Sequence, residues 1–452
     1  MDAPFLGRER ELATLQQLHD SGRPELFVLY GRRRVGKTEL LQQFCQGRRA
    51  VYFLAAQVRE KDNLRAFRDA LRDALGDELV GNVEFRDWGA ALGYASERAA
   101  GERLVVVLDE FPYLCEANAG LPSQLQQFWD TRGKKSSLLL VLCGSQVSFM
   151  EEEVLAERSP LFGRRTAQRR LEPLRPPDAA RFFAKWKPED RLLAWAVLGG
   201  MPAYLRRFEP RESFEQNLLR EALSPEGYLF DEPQFLLRAE FSSPTTYNSV
   251  LAAVAQGAQR VGDIALSVGV DATTANKYLH TLRELRIVAR DIPLTDPDPL
   301  RSRRGTYRIE DRYLAFHFRH VQPNVSLIEA GRGARVLETS VQPDRGRLLE
   351  EARIDFAMDW LRHSAGELLG AEIAELGRHG GARVRIVGRL NNGALVAAAL
   401  ERPAGKGVAR VDAELRAELD ELGRTLRDDV RGLLVRVTGE WDTPVHGELV
   451  SD

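Results

Sequence analysis

Several features that would place a chain outside the ordinary soluble classes are scarce or missing. There are three cysteines, Cys45, Cys115 and Cys143, each far from the next. Without a CxxC pair they supply neither a zinc site nor a disulfide framework. No apolar run approaches the roughly 18 residues that a membrane span needs, so no membrane contact is expected. The opening MDAPFLGREREL lacks the apolar core and the small-residue cleavage site of a secretory signal, and the expected location is cytoplasmic. Charge of one sign is not in excess either: 64 basic and 66 acidic residues leave a net charge of -2. That balance gives a polyanion no global attraction and confines any nucleic-acid contact to a local patch. What is present, 44% hydrophobic and 29% charged residues in 452, suits a soluble chain of about three domains at roughly 150 residues each.

The clearest chemistry lies in LFVLYGRRRVGKTELL. Leu26 to Tyr30 is a short apolar strand ending in Gly31, and ELLQQF after Thr38 turns Leu40, Leu41 and Phe44 to one helical face. Gly31 and Gly36 let the intervening backbone wrap closely, so that its N–H groups and the helix N-terminus face phosphates. Lys37 reaches the β- and γ-oxygens, Thr38 ligates Mg²⁺, and Arg34, Val35 and Glu39 complete the nucleotide contacts. The expected cofactors are therefore ATP and Mg²⁺.

A second apolar strand, Leu104 to Leu108, delivers Asp109 and Glu110 at its carboxyl end, where open α/β sheets bind ligands. Asp109 would hold the metal through water, and Glu110 would orient the attacking water, since phosphoryl transfer needs mainly positioning and charge compensation. The bland alternative is a pair of acids capping the next turn. A third strand, Ser137 to Cys143, ends in Gly144 and Ser145, which puts a hydroxyl at the same edge. Ser145 is either a γ-phosphate or water sensor, or a cap for QVSFMEEEV. Downstream, SPLFGRRTAQRR supplies Arg164 and Arg165 as candidates to stabilise transferring phosphate, the alternative being a solvated arginine-rich surface.

Taken in order, FLGREREL, GRRRVGKT, LVVVLDEFPYL, LCGSQVSFM, PLFGRRT and GGMPAYL resemble the archaeal-type ATPase family, which looks like a branch of the AAA+/STAND P-loop ATPases. The resemblance covers residues 1 to about 320 and implies a five-stranded parallel sheet, a helical lid and a winged helix. It also implies that Phe5, Gly7, Arg8 and Glu11 lie against the base and ribose, that Pro202 closes over the base, and that Arg164 is the better-supported finger. Read from the residues alone, Gly199-Gly200-Met201-Pro202 is a helix stop followed by a restart. From Asp178 onward, AARFFAKW and RLLAWAVL have helical spacing.

TYNSVLAAVAQ, VGDIALSVGV and ATTANKYLHTLRELRI read as three short helices, with Gly269 at a tight turn and Asp271 as N-cap of the third. IVARDIPL and TYRIED follow as strands around TDPDPLRSRRG, which makes a helix-turn-helix with a β-hairpin wing. If it bound double-stranded DNA, Thr273, Thr274, Asn276, Lys277 and His280 would enter the major groove, and Arg301, Arg303 and Arg304 would grip phosphates. A protein partner is the alternative, because the third helix exposes a single lysine.

Beyond residue 330, RLLEEARIDFAMDWLRH is helical, and VRIVGRL and ALVAAAL are strands joined by Asn391-Asn392-Gly393. In relatives such a tail looks like a restriction-endonuclease fold. Here the strands carry Arg385 and alanines instead of clustered carboxylates, with Glu350, Glu351 and Glu401 the only acids nearby. A degenerate, non-catalytic module is therefore expected. The last helix places Leu415, Leu419, Leu422 and Leu426 on one face for packing within its own domain. The expected fold is α/β: a P-loop ATPase core at 1–172, a helical lid at 173–240, a winged helix-turn-helix at 241–325 and a C-terminal α+β domain at 326–452. Such a chain would be an ATP-hydrolysing switch whose partners are DNA or a protein, with a homo-oligomer required if an arginine acts across a subunit interface. The alternative is a non-hydrolysing, ATP-bound scaffold or a DNA-binding regulator.

Overall fold

A computed structural model describes residues 5–99, 101–241, 243–294, 296, 298, 301–302, 304–400, 413–426, 430–437 and 445–450. Arg303 and Glu401 lie outside the described residues. The chain divides into two compact units, one of residues 7–173 and one of residues 174–452 together with the N-terminal six.

The first unit is organised by five strands: β1 (Glu25–Tyr30), β2 (Ala50–Leu54), β3 (Leu104–Asp109), β4 (Leu138–Gly144) and β5 (Ala167–Arg170). Their order is β2-β3-β4-β1-β5, and every neighbouring pair is parallel. β1, β3 and β4 are buried along their whole length. Such near-continuous Val and Leu runs are what a strand covered on both faces requires. Helices α1 (Glu9–Asp20), α2 (Lys37–Cys45), α3 (Glu60–Leu75), α4 (Trp88–Arg98), α5 (Phe111–Ala117) and α6 (Leu121–Thr131) belong to the same unit. Phe53 of β2, Phe67 of α3 and Trp88 of α4 meet with centroids 5.4–6.0 Å apart and fix that side of the sheet. Because all strands run one way, the carboxyl ends of β1, β3 and β4 share an edge, and Gly31, Asp109, Glu110 and Ser145 are delivered there.

The second unit begins with short helical pieces. AARFFAKW is not one helix: a turn at Pro176–Ala180 tightens into a 3₁₀ segment at Arg181–Phe183, and Phe183 stacks on Trp186 at 4.5 Å. Regular helices follow at Pro188–Leu198, Phe214–Glu221 and Tyr228–Glu240. Next come helices at Pro244–Ala255, Val261–Val268 and Ala272–Glu284, then an antiparallel pair, β6 (Val288–Asp291) and β7 (Thr306–Ile309). Gly269 closes the second of these helices in the left-handed region, and Asp271 accepts from the amides of Thr273 and Thr274 at 2.8 and 3.0 Å.

A long helix, Arg345–His363, leads into a five-stranded sheet of order β12-β11-β10-β9-β8. β8 (Ile373–Arg378), β9 (Val384–Leu390) and β10 (Leu395–Leu400) form an antiparallel meander, β11 (Val430–Val437) runs parallel to β10, and β12 (Val445–Leu449) closes the edge. Leu415 and Leu422 of the helix Ala413–Leu426 are buried against Val384, Val387, Ala397 and Leu434, with Leu419 and Leu426 packed beside them. Four charges tie this module to the segment after β7. Arg312 meets Glu351 at 3.1 Å and Asp355 at 2.6 Å, and Arg378 meets the same two acids at 2.8 and 2.7 Å. Trp195 donates its indole N–H to Asp355 at 2.9 Å. No helix among the described residues is long and apolar enough to cross a membrane.

Candidate nucleotide site

The turn from β1 into α2 is the first part of the site. Gly31 has φ +153°, and a Cβ there would stand 2.5 Å from the Leu171 carbonyl oxygen, so only glycine lets the loop leave the sheet at this point. Gly36 caps α2 at φ +92°, and Arg34 also takes a left-handed conformation. Lys37 is buried, and its ammonium donates to the carbonyls of Gly31 at 2.8 Å and Arg32 at 3.1 Å. A lysine folded back on its own loop holds the cradle in shape and keeps a strong donor beside the α2 N-terminus. Val35 is fully buried and Glu39 is half-buried.

Arg8 sits behind this loop. Its guanidinium donates to the carbonyls of Val35 at 2.9 Å and Glu172 at 2.8 Å and reaches Glu11 at 3.5 Å. Those contacts make Arg8 a brace of the loop from behind, an arrangement invisible in sequence because Glu172 is 164 residues away. Gly7 belongs to this unit, at φ +69°. Phe5 and Pro202 belong to the other; Pro202 is buried as the first residue of a short helix, Pro202–Leu205.

At the end of β3, Asp109 is wholly buried. Its Oδ2 accepts the Thr38 hydroxyl at 2.8 Å and also the Tyr52 phenol, while Oδ1 accepts the Glu110 amide at 2.9 Å. Cys143 lies fully buried beside it, and burial followed by the Asp109 charge pushes that thiol well above its ordinary range, so it stays neutral. Glu110 adopts φ +53° and ψ +46° at the start of α5, yet its side chain caps nothing there. A non-glycine residue in this region costs about 1–3 kcal/mol and calls for a reason. The reason visible here is direction: Oε2 is turned across to Ser145, whose hydroxyl donates at 2.9 Å and whose amide lies at 3.4 Å. Neither Glu110 nor Ser145 makes a side-chain cap to the helix that follows it.

Arg164 and Arg165 are placed elsewhere in the unit. Arg164 clamps Asp130 with two nitrogens, at 2.8 and 3.0 Å, and Arg165 donates to the Leu155 carbonyl and lies over the Phe162 ring. Among the described residues neither guanidinium hydrogen-bonds residues 31–38. In the second unit Thr273, Asn276, Lys277 and His280 are exposed along the helix Ala272–Glu284, and Arg301 and Arg304 are exposed in the β6–β7 connection. The Thr274 hydroxyl donates to Asp271, the residue that caps this helix, at 2.6 Å. His280 lies 3.5 Å from Glu284.

Hard oxygens from Thr38 and Asp109, meeting at the mouth of a glycine cradle, are a donor set that fits Mg²⁺, which binds through one or two protein ligands together with phosphate oxygens. No group of three or more His, Cys, Asp or Glu side chains among the described residues could hold a metal by itself.

A five-stranded parallel sheet with strand, glycine loop and lysine-threonine helix start defines the P-loop ATPase class. Within it, residues 5–208 match the model of an ATPase domain found predominantly in Archaea. An uncharacterized protein of Methanocaldococcus jannaschii is 33% identical over 329 residues, covering 72% of this chain and 71% of the relative. An uncharacterized ATP-binding protein of the same organism is 40% identical over 45 residues, 10% of this chain and 76% of that one. Among solved structures, a Walker-type ATPase of Pyrococcus abyssi superposes with a TM-score of 0.50 at 21% identity, covering 69% of this chain and 95% of that one, a likeness of fold. The chain belongs to the archaeal-type ATPase family, and it is an ATP-binding protein of the P-loop class.

Proposed function

We propose that the chain is a Mg²⁺-dependent ATP-hydrolysing switch. The observation that carries this reading is the strained Glu110, aimed away from its own helix and held by Ser145 at the sheet edge that also carries Lys37 and Thr38. A carboxylate so placed can orient and polarise water for attack on a bound γ-phosphate. Lys37 would exchange the Gly31 and Arg32 carbonyls for phosphate oxygens, and the amides of residues 34–38 would bind the remaining oxygens. Mg²⁺ bound at Thr38 and Asp109 would neutralise charge between the β- and γ-phosphates. Ser145 would sense the γ-phosphate by giving up or keeping Glu110. Gly7, Arg8 and Glu39 would bound the nucleotide, Arg8 through the loop it braces. Arg164, engaged with Asp130 in its own chain, would serve as a finger only for a second copy, with Arg165 positioning its loop. Nucleotide state would move the helical segment 173–240, the winged helix 241–325 and the C-terminal domain 326–452 between two arrangements.

The exposure of Asn276, Lys277 and Arg301 favours a second reading in which the partner is duplex DNA. It predicts binding that weakens as salt rises and falls when Arg301 and Arg304 become alanine. The deciding experiment compares phosphate release and ATP binding for the wild type, Lys37→Ala and Glu110→Gln, with and without duplex. Turnover lost in both variants with ATP retained by Glu110→Gln is expected. Bound ATP without turnover in the wild type would replace the switch by a non-hydrolysing scaffold.

A further inference from the structure

We propose that Tyr52 is a positioning residue for the metal side of the nucleotide site, acting through Asp109. The inference rests on the reading of Thr38 and Asp109 as the Mg²⁺ side.

Tyr52 is the central residue of β2, an edge strand paired only with β3, in a segment, AVYFL, that carries no nucleotide-binding signature. Register places Tyr52 opposite Val107 and Leu54 opposite Asp109, so the phenol leans one step along the sheet towards the carboxylate. Its O–H donates to Asp109 Oδ2, the oxygen that also accepts Thr38. The other oxygen, Oδ1, is fixed by the Glu110 amide. Asp109 is thus gripped from three elements: Thr38 from α2, Tyr52 from β2 and the turn into α5.

Only the Tyr52 grip is dispensable to the loop itself. Thr38 belongs to the P-loop, and the Glu110 amide belongs to the main chain, whereas a phenylalanine at 52 would keep the ring and the packing and lose one donor. A carboxylate that must present a defined lone pair to a hydrated cation gains from having its rotamer set in advance, and outer-shell partners of this kind are worth about 10- to 100-fold in metal affinity.

The test measures affinity for a fluorescent ATP analogue, first in EDTA and then over a Mg²⁺ titration, for wild type, Tyr52→Phe, Asp109→Asn and the double variant, with thermal midpoints recorded for each. Tyr52→Phe is expected to bind the analogue in EDTA as the wild type does and to need about 10- to 100-fold more Mg²⁺ for the magnesium-dependent gain. In the Asp109→Asn background the Tyr52 change is expected to add nothing, since the two act through one contact. An unchanged Mg²⁺ midpoint overturns the assignment, as does an equal loss in EDTA, which would make Tyr52 merely structural. No Mg²⁺ dependence in the wild type overturns the metal-side reading and the assignment with it.

Discussion

Replacing Arg378 by methionine tests how the C-terminal module is held. The side chain keeps most of its length and loses its charge, leaving Glu351 and Asp355 to share Arg312. Breaking a buried ion cluster by removing one partner costs about 3–5 kcal/mol, because the remaining charge stays desolvated. The titration of Glu351 bounds the size independently. Burial pushes its carboxyl up, but the guanidinium charges of Arg378 and Arg312 outweigh burial and hold it at about 2 against an ordinary 4.5. That depression is worth about 3 kcal/mol at 1.36 kcal/mol per unit. A depressed carboxyl stabilises the fold above its unfolded value, so this contribution is complete above pH 4.5 and is lost as pH falls through 4.5 towards 2. Urea unfolding at several pH values, followed by tryptophan fluorescence to which Trp195 in the cluster contributes, reads both effects. The variant should be about 3–5 kcal/mol less stable at pH 7, and the gap should narrow below pH 4.5. A gap under about 1 kcal/mol, the value of an exposed pair, or a gap independent of pH, would refute the reasoning.

Two other substitutions probe different parts of the molecule. His317 is buried, its Nδ1 has no partner among the described residues, and burial lowers its imidazole to about 4 from 6.5. A histidine kept neutral by the fold stabilises it fully above pH 6.5 and loses that contribution as pH falls from 6.5 to 4; His317→Phe should therefore flatten the stability curve in that window, and an unchanged slope would exclude this origin. Gly31→Ala forces a Cβ to 2.5 Å from the Leu171 carbonyl oxygen, a backbone atom that cannot swing aside. Overpacking of this kind costs about 1–3 kcal/mol, so ATP affinity should fall by about tenfold or more with a lower thermal midpoint, as read by nucleotide titration and calorimetry; wild-type affinity would show that the loop has room.

What the amino-acid sequence determined by itself is what depends on near neighbours. The run from Leu26 to Thr38 is legible as strand, loop and helix because an apolar run, two glycines and a 3.6-residue period are local properties. Asp109, Ser145 and the hairpin at Asn391 are legible for the same reason, as ends of apolar runs or turn signatures. The tertiary structure decided which of these ends meet. Glu110 and Ser145 lie 35 residues apart, and Tyr52 and Asp109 lie 57 apart. Nothing in the spacing of either pair predicts contact until strand order puts β2 beside β3 and β3 beside β4. The tertiary structure likewise brings Arg8 to the carbonyls of Val35 and Glu172, a brace that no spacing announces. Nothing in the sequence joins Arg312, Glu351, Asp355 and Arg378, whose side chains the packing brings into hydrogen-bond contact. Polar side chains bond whatever the packing of apolar elements brings within about 3 Å, and that packing is set by contacts distant in the chain.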